Sequence, residues 1–199
     1  MHHPLLFYTA VFLAPCVIAG PRDRALILSG GDNPFGNHHS QYLQTRLLTE
    51  HLSSRLSRKQ VDVFFGAGNS ESTRDLFPDV HQSITSSGLE NVDRLFPGII
   101  TGNRIAEKSQ VMAFLEQELP SKQPAEGNLF LFVTDHGMPN RDANGKIDTT
   151  YSNNCINLWS KNTRDLSNGE FQDSCLSVRD LKEKFESLPA KLTVFAMTQ

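Results

Sequence analysis

The passage that most constrains this chain is Leu129–Gly137. Five apolar residues, Leu129-Phe130-Leu131-Phe132-Val133, run directly into Thr134-Asp135-His136-Gly137. An unbroken apolar run of this length, without alternation, reads as a strand buried on both faces, the kind that parallel sheets carry between layers of helix. Open sheets of that type collect functional groups outside the carboxyl ends of their strands. The run therefore sets a histidine and a glycine on the rim of a sheet. There an imidazole can act as a general base, and the backbone N–H after it can meet an oxyanion.

The rest of the chain alternates in the same way. RALILS at 24–29 is closed by Gly30-Gly31, VDVFF at 61–65 by Gly66-Ala67-Gly68, and 192–196 forms a last apolar run. Between them, 39–56 sets Tyr42, Leu43, Leu47, Leu48, Leu52 and Leu56 at helical spacing. A second helix is expected over 106–119 through Val111, Phe114, Leu115 and Leu119, stopped by Pro120. A third is expected over 177–188, with Ser177 as N-cap and Pro189 beyond its end. Residues 69–103 read as a long, partly ordered connection with room for a short hairpin. Residues 138–176 are a polar connection long enough to carry function or to lack order. The succession β-α-β-insert-α-β-α-β predicts an α/β fold, a three-layer α/β/α sandwich on a mostly parallel sheet with right-handed crossovers.

Composition narrows the function classes. With 199 residues, one domain with one sizeable core is expected. A hydrophobic share of 38% and a charged share of 21% exclude a disordered or membrane-embedded chain, and a net charge of −3 gives no electrostatic case for nucleic acid. Residues 4–19, PLLFYTAVFLAPCVIA, carry no charge. The stretch is shorter than the ~20 residues of a membrane span. It suits the apolar region of a secretory signal peptide over residues 1–19, with Val17 and Ala19 before a cut near Gly20, although Met1-His2-His3 lacks the usual Lys or Arg. The expectation is a secreted or periplasmic protein with no membrane span after cleavage. Pro15 before Cys16 argues against lipoprotein anchoring.

Outside that leader, Cys155 and Cys175 are an even pair and thus a disulfide candidate in an exported protein, with two buried free thiols as the open alternative. They have no neighbouring histidine to make a zinc site. Asp142–Asp148 resembles part of a calcium loop, but Lys146 stands where a ligand is needed and no glutamate closes it, so a plain turn is expected and no metal is assigned. No G-x-S-x-G elbow occurs.

FLFVTDHG at 130–137, the opening strand ALILSGG at 25–31 with Asn37-His38 after it, and the closing strand TVFAMTQ at 193–199 together resemble the caspase-like clan of cysteine peptidases, in its legumain-like branch. The order and spacing extend over most of residues 25–199. The resemblance implies a Cys-His dyad that hydrolyses peptide bonds, with His136 as its histidine and the Gly137 N–H as an oxyanion donor. It implies that Asp135 borders the specificity pocket and that Asn37 and His38 fall near it; a turn or capping role for Asn37 and His38 stays open. It implies a protein or peptide substrate and no cofactor. The family's cysteine would follow the strand 193–199, where this sequence ends at Gln199. The peptidase-like domain over 20–199 is therefore expected to be incomplete at its carboxyl edge. An inactive relative or fragment that binds protein or peptide is the alternative.

Overall fold

The computed structural model describes residues 20–31, 37–69, 76–85, 88–97, 99–141, 144, 146–147, 154–160 and 174–198; the expected leader 1–19 lies outside the described residues. In chain order the elements are β1 (Arg24–Gly30), α1 (His39–Arg55), a 3-10 turn (Arg58–Gln60), β2 (Val61–Phe65), β3 (Leu76–Thr85), β4 (Gly88–Pro97) and β5 (Asn103–Arg104). There follow α2 (Lys108–Ala113), a π-helical turn (Phe114–Glu118), α3 (Leu119–Lys122), β6 (Asn128–Asp135), β7 (Gly137–Met138), β8 (Cys155–Asn157), β9 (Cys175–Ser177), α4 (Val178–Glu186) and β10 (Leu192–Thr198).

The apolar runs become five parallel strands in the order β10-β6-β1-β2-β5. The protein is an α/β fold on a parallel central sheet, as the alternation predicts. Because side chains alternate along a strand, each run feeds two cores. Ala25, Ile27, Val61, Val63 and Phe65 face one layer, where Tyr42, Leu48 and Leu52 of α1 pack. Leu26, Leu28, Phe64, Leu129, Leu131 and Val133 face the other, against Val111, Phe114, Leu115, Leu119, Leu181 and Phe185. Asp23 ties the amino ends together, accepting from the Asn128 N–H at 2.8 Å and its side-chain amide at 3.0 Å. Arg24 pairs with Asp62 at 2.7 Å across β1 and β2.

Three elements differ from the reading of the sequence. The helix at 39–55 forms, but its buried positions include Gln41, Thr45 and Thr49, while Leu43 and Leu47 are exposed, Leu47 by 58%. Small threonines let the helix settle close to the sheet, and their hydroxyls find partners there: Thr45 donates to Ser29 Oγ and Thr49 to the Thr45 carbonyl, both at 2.7 Å. Pro120 does not stop the second helix. It sits in the first turn of α3, after a π-helical turn that offsets the hydrogen-bond ladder its missing N–H would otherwise break.

The segment 69–103 holds a hairpin of two ten-residue strands, paired from Leu76↔Pro97 to Thr85↔Gly88. Among the described residues the two strands pair only with each other, so both are edges and can carry Pro78 and Pro97. Within 138–176, β8 and β9 join β7 in a three-stranded antiparallel sheet.

Candidate functional site

Strand order picks out one place on the sheet. The chain steps from β1 outward to β2 and β5 on one side, and from β6 outward to β10 on the other. Winding reverses between β1 and β6, and the crevice outside their carboxyl ends is where such sheets bind ligands.

At the end of β1, Gly30 adopts φ 104°. A Cβ there would lie 2.7 Å from the Gly66 nitrogen and 3.0 Å from Asn37 Oδ1, so glycine is required both by conformation and by space. Asn37 is fully buried beside this turn, and neither polar atom of its side chain has a hydrogen-bond partner. His38 follows as the residue capping α1; its N–H donates to Gln41 Oε1 at 3.1 Å.

At the end of β6, the buried Asp135 carboxylate turns back on the next residue and accepts from the His136 N–H at 2.6 Å. His136 itself is exposed. Its ring meets that of His38 edge to face, with centroids 5.1 Å apart and planes at 71°. Much of His38 reaches solvent, yet the burial of its ring and then the facing His136 hold its pKa below the ordinary histidine value.

Gly137 begins β7 opposite Ile156 of β8. The ladder bond beside this pair runs from the Asn157 N–H to the His136 carbonyl at 3.0 Å. That register makes Gly137–Ile156 a non-hydrogen-bonded pair, so β8 does not take up the Gly137 N–H. Gly137 is exposed, and its N–H lies one residue from the histidine ring.

The structure thus brings Asn37, His38, Asp135, His136 and Gly137 to one edge. Cys155 and Cys175 are held apart from it in function: they are joined as a disulfide across β8 and β9, with Cα atoms 5.1 Å apart. Neither sulfur is a thiolate there. The bridge is buried and closes the small sheet that starts at Gly137.

A second set of residues supports the site and carries no sequence motif. Ser29 Oγ donates to the Thr134 carbonyl at 2.7 Å, and accepts from Thr45 of α1. Thr134 Oγ1 donates in turn to Gln44 Oε1 of α1 at 2.7 Å. Ser29, Thr45 and Thr134 are all buried. This network locks the start of α1, which carries His38, to the last residues of β6 before His136. The only signals for it in the sequence are a serine closing an apolar strand and threonines four apart on a helix.

Among the described residues, no group of three His, Cys, Asp or Glu stands close enough to hold a metal ion. No helix of the described residues is long and apolar enough to cross a membrane. No family model, curated protein or solved structure matches the chain.

Proposed function

We propose that the rim between β1 and β6 is an acyl-transfer site acting on peptide bonds, in the manner of the legumain-like cysteine peptidases that the sequence resembles. The observation that carries this reading is the pairing of an exposed His136 with a neighbouring backbone N–H, that of Gly137, which the ladder leaves unused. β10 runs beside β6 with Thr198 opposite Thr134, so a thiol just after β10 would stand next to His136.

His136 would take the proton from that thiol, and the thiolate would attack the carbonyl carbon of the substrate. The Gly137 N–H would bind the oxygen as it gains charge. The imidazolium would return its proton to the leaving amine, and water would then hydrolyse the thioester with His136 again as base. The buried amide of Asn37 and the ring of His38 border the space a substrate would occupy. A disulfide between Cys155 and Cys175 supports an oxidising compartment, in line with export.

The test is hydrolysis of a mixed pool of fluorogenic peptides by the gene product, with any residues encoded after Gln199 included. Cleavage should vanish on thiol alkylation and fall by about 10²–10⁴-fold in His136→Ala. Cleavage that survives His136→Ala sinks the proposal. A second reading, a peptide-binding domain without catalysis, is favoured by the bridge that occupies both Cys155 and Cys175. Peptide binding without turnover, unaffected by alkylation, would select it.

A further inference from the structure

The backbone groups around the histidine can be accounted for one by one. The His136 N–H donates to the Asp135 carboxylate at 2.6 Å, and the His136 carbonyl accepts from the Asn157 N–H at 3.0 Å. Met138 stands opposite Cys155, the next step of the register, where the two residues exchange both ladder bonds. Gly137 is the step between. The N–H and carbonyl of one strand residue share a side, so both groups of Gly137 point away from β8.

That outward side is an edge. Among the described residues β7 pairs with β8 alone, in the order β7-β8-β9. Gly137 is exposed, and a residue without a side chain exposes its backbone. The edge is also held in place. Met138 packs against the buried Cys155–Cys175 bridge, which ties β8 to β9. Ile156 of β8 and Leu176 of β9 anchor the small sheet in the larger core. A fixed edge with a donor and an acceptor facing outward is what an extended peptide needs in order to add itself as a strand.

The direction of that peptide follows from the rim. His38 meets the ring of His136, the residue before Gly137, and Asn37 adjoins it. The part of a substrate before its scissile bond faces these groups, and the part after it leaves along Met138. An antiparallel peptide would instead run its leaving side back over His136 toward the buried Asp135. A peptide parallel to β7 bonds a single edge residue through two of its own groups, a carbonyl and the N–H two residues further on. Resting on the acyl-transfer reading above, we propose that Gly137 holds the substrate twice. Its N–H binds the carbonyl under attack, and its carbonyl accepts the N–H of the second residue after the scissile bond. On the leaving side the site therefore reads extended backbone.

The experiment takes the gene product, with any residues encoded after Gln199, and the fluorogenic peptide of the pool that it cleaves fastest, its scissile bond located by mass spectrometry. The all-amide peptide is compared with forms in which an ester oxygen replaces one backbone N–H: that of the second residue after the bond, of the third, or of the residue before it. The ester at the second residue should lower kcat/KM by about three- to tenfold, the worth of one neutral hydrogen bond. The ester at the third, whose N–H faces away from β7, should leave it within about twofold. Equal rates for all forms would overturn the proposal and leave the acyl-transfer site standing. So would a loss confined to the ester before the bond, the mark of an antiparallel peptide. No cleavage of the all-amide peptide would remove the acyl-transfer reading and this inference with it.

Discussion

On one face of the central sheet, Phe114, Leu115, Leu181 and Phe185 press apolar surface onto Leu26, Leu28 and Leu131. On the other, α1 adds to its leucine contacts a row of Gln41, Thr45 and Thr49 and a run of hydroxyl bonds through Ser29 and Thr134. Apolar contact is non-directional and holds layers together without fixing how they slide. Buried hydrogen bonds are directional and fix one register. The two histidines that meet at 5.1 Å flank the hydroxyl network, His38 as the residue capping the helix that carries Gln44 and Thr45, and His136 two residues beyond Thr134. Cohesion and positioning are thus assigned to opposite faces.

The largest expected effect lies on the apolar face. Phe114 is fully buried, 5.2 Å from the Phe64 ring. Phe114→Ala should lower unfolding free energy by about 3–5 kcal/mol in urea denaturation, while the cross-relaxation between the His38 and His136 rings in the remaining folded protein persists. A loss below ~1 kcal/mol would break the comparison.

Ser29→Ala should cost less, about 1–3 kcal/mol, because it strands the buried Thr45 hydroxyl. It should nevertheless weaken the His38–His136 cross-relaxation, which Phe114→Ala does not. An unchanged ring contact in Ser29→Ala would show that the hydroxyl network does not position the site.

The smallest effect is at the rim of the apolar face. Arg104, stacked over Phe64 and Phe114, bonds Glu118 through both oxygens, and Lys122 adds a third contact. These partners, Arg104 first, lower the Glu118 pKa from 4.5 to about 2. A depressed folded-state value means that its contribution is present above the unfolded pKa and is lost as pH falls from 4.5 toward 2. The side chain is 41% exposed, so screening keeps the contribution under about 1 kcal/mol. Glu118→Gln should lower thermal stability at neutral pH by the equivalent of under about 1 kcal/mol and flatten that acid limb, so that the two proteins converge as pH falls toward 2; a steeper limb would contradict the assignment.

The strands of the sheet were legible because a strand buried on both sides must be apolar throughout, as Leu26–Leu28 and Leu129–Val133 are. His136 was legible for the same reason: the abrupt end of such a run marks the rim. Its meeting with His38 was not, because it depends on strand order, which no local pattern encodes. The orientation of α1 was hidden because Leu43 and Leu47 keep helical spacing while facing solvent. The long hairpin was hidden by Pro78, Asp79, Asn91 and Asp93, residues that strands usually avoid. Strands as short as β7 to β9 leave no periodicity to detect.

The Cys155–Cys175 bridge spans a sequence separation of 20 residues. A single backbone scission anywhere inside that span would therefore yield two polypeptides on a reducing gel but one molecule in solution. The piece carrying α4 and β10 would remain covalently tethered to the piece carrying His136, by a bond sited two residues from it in the β7–β8 register.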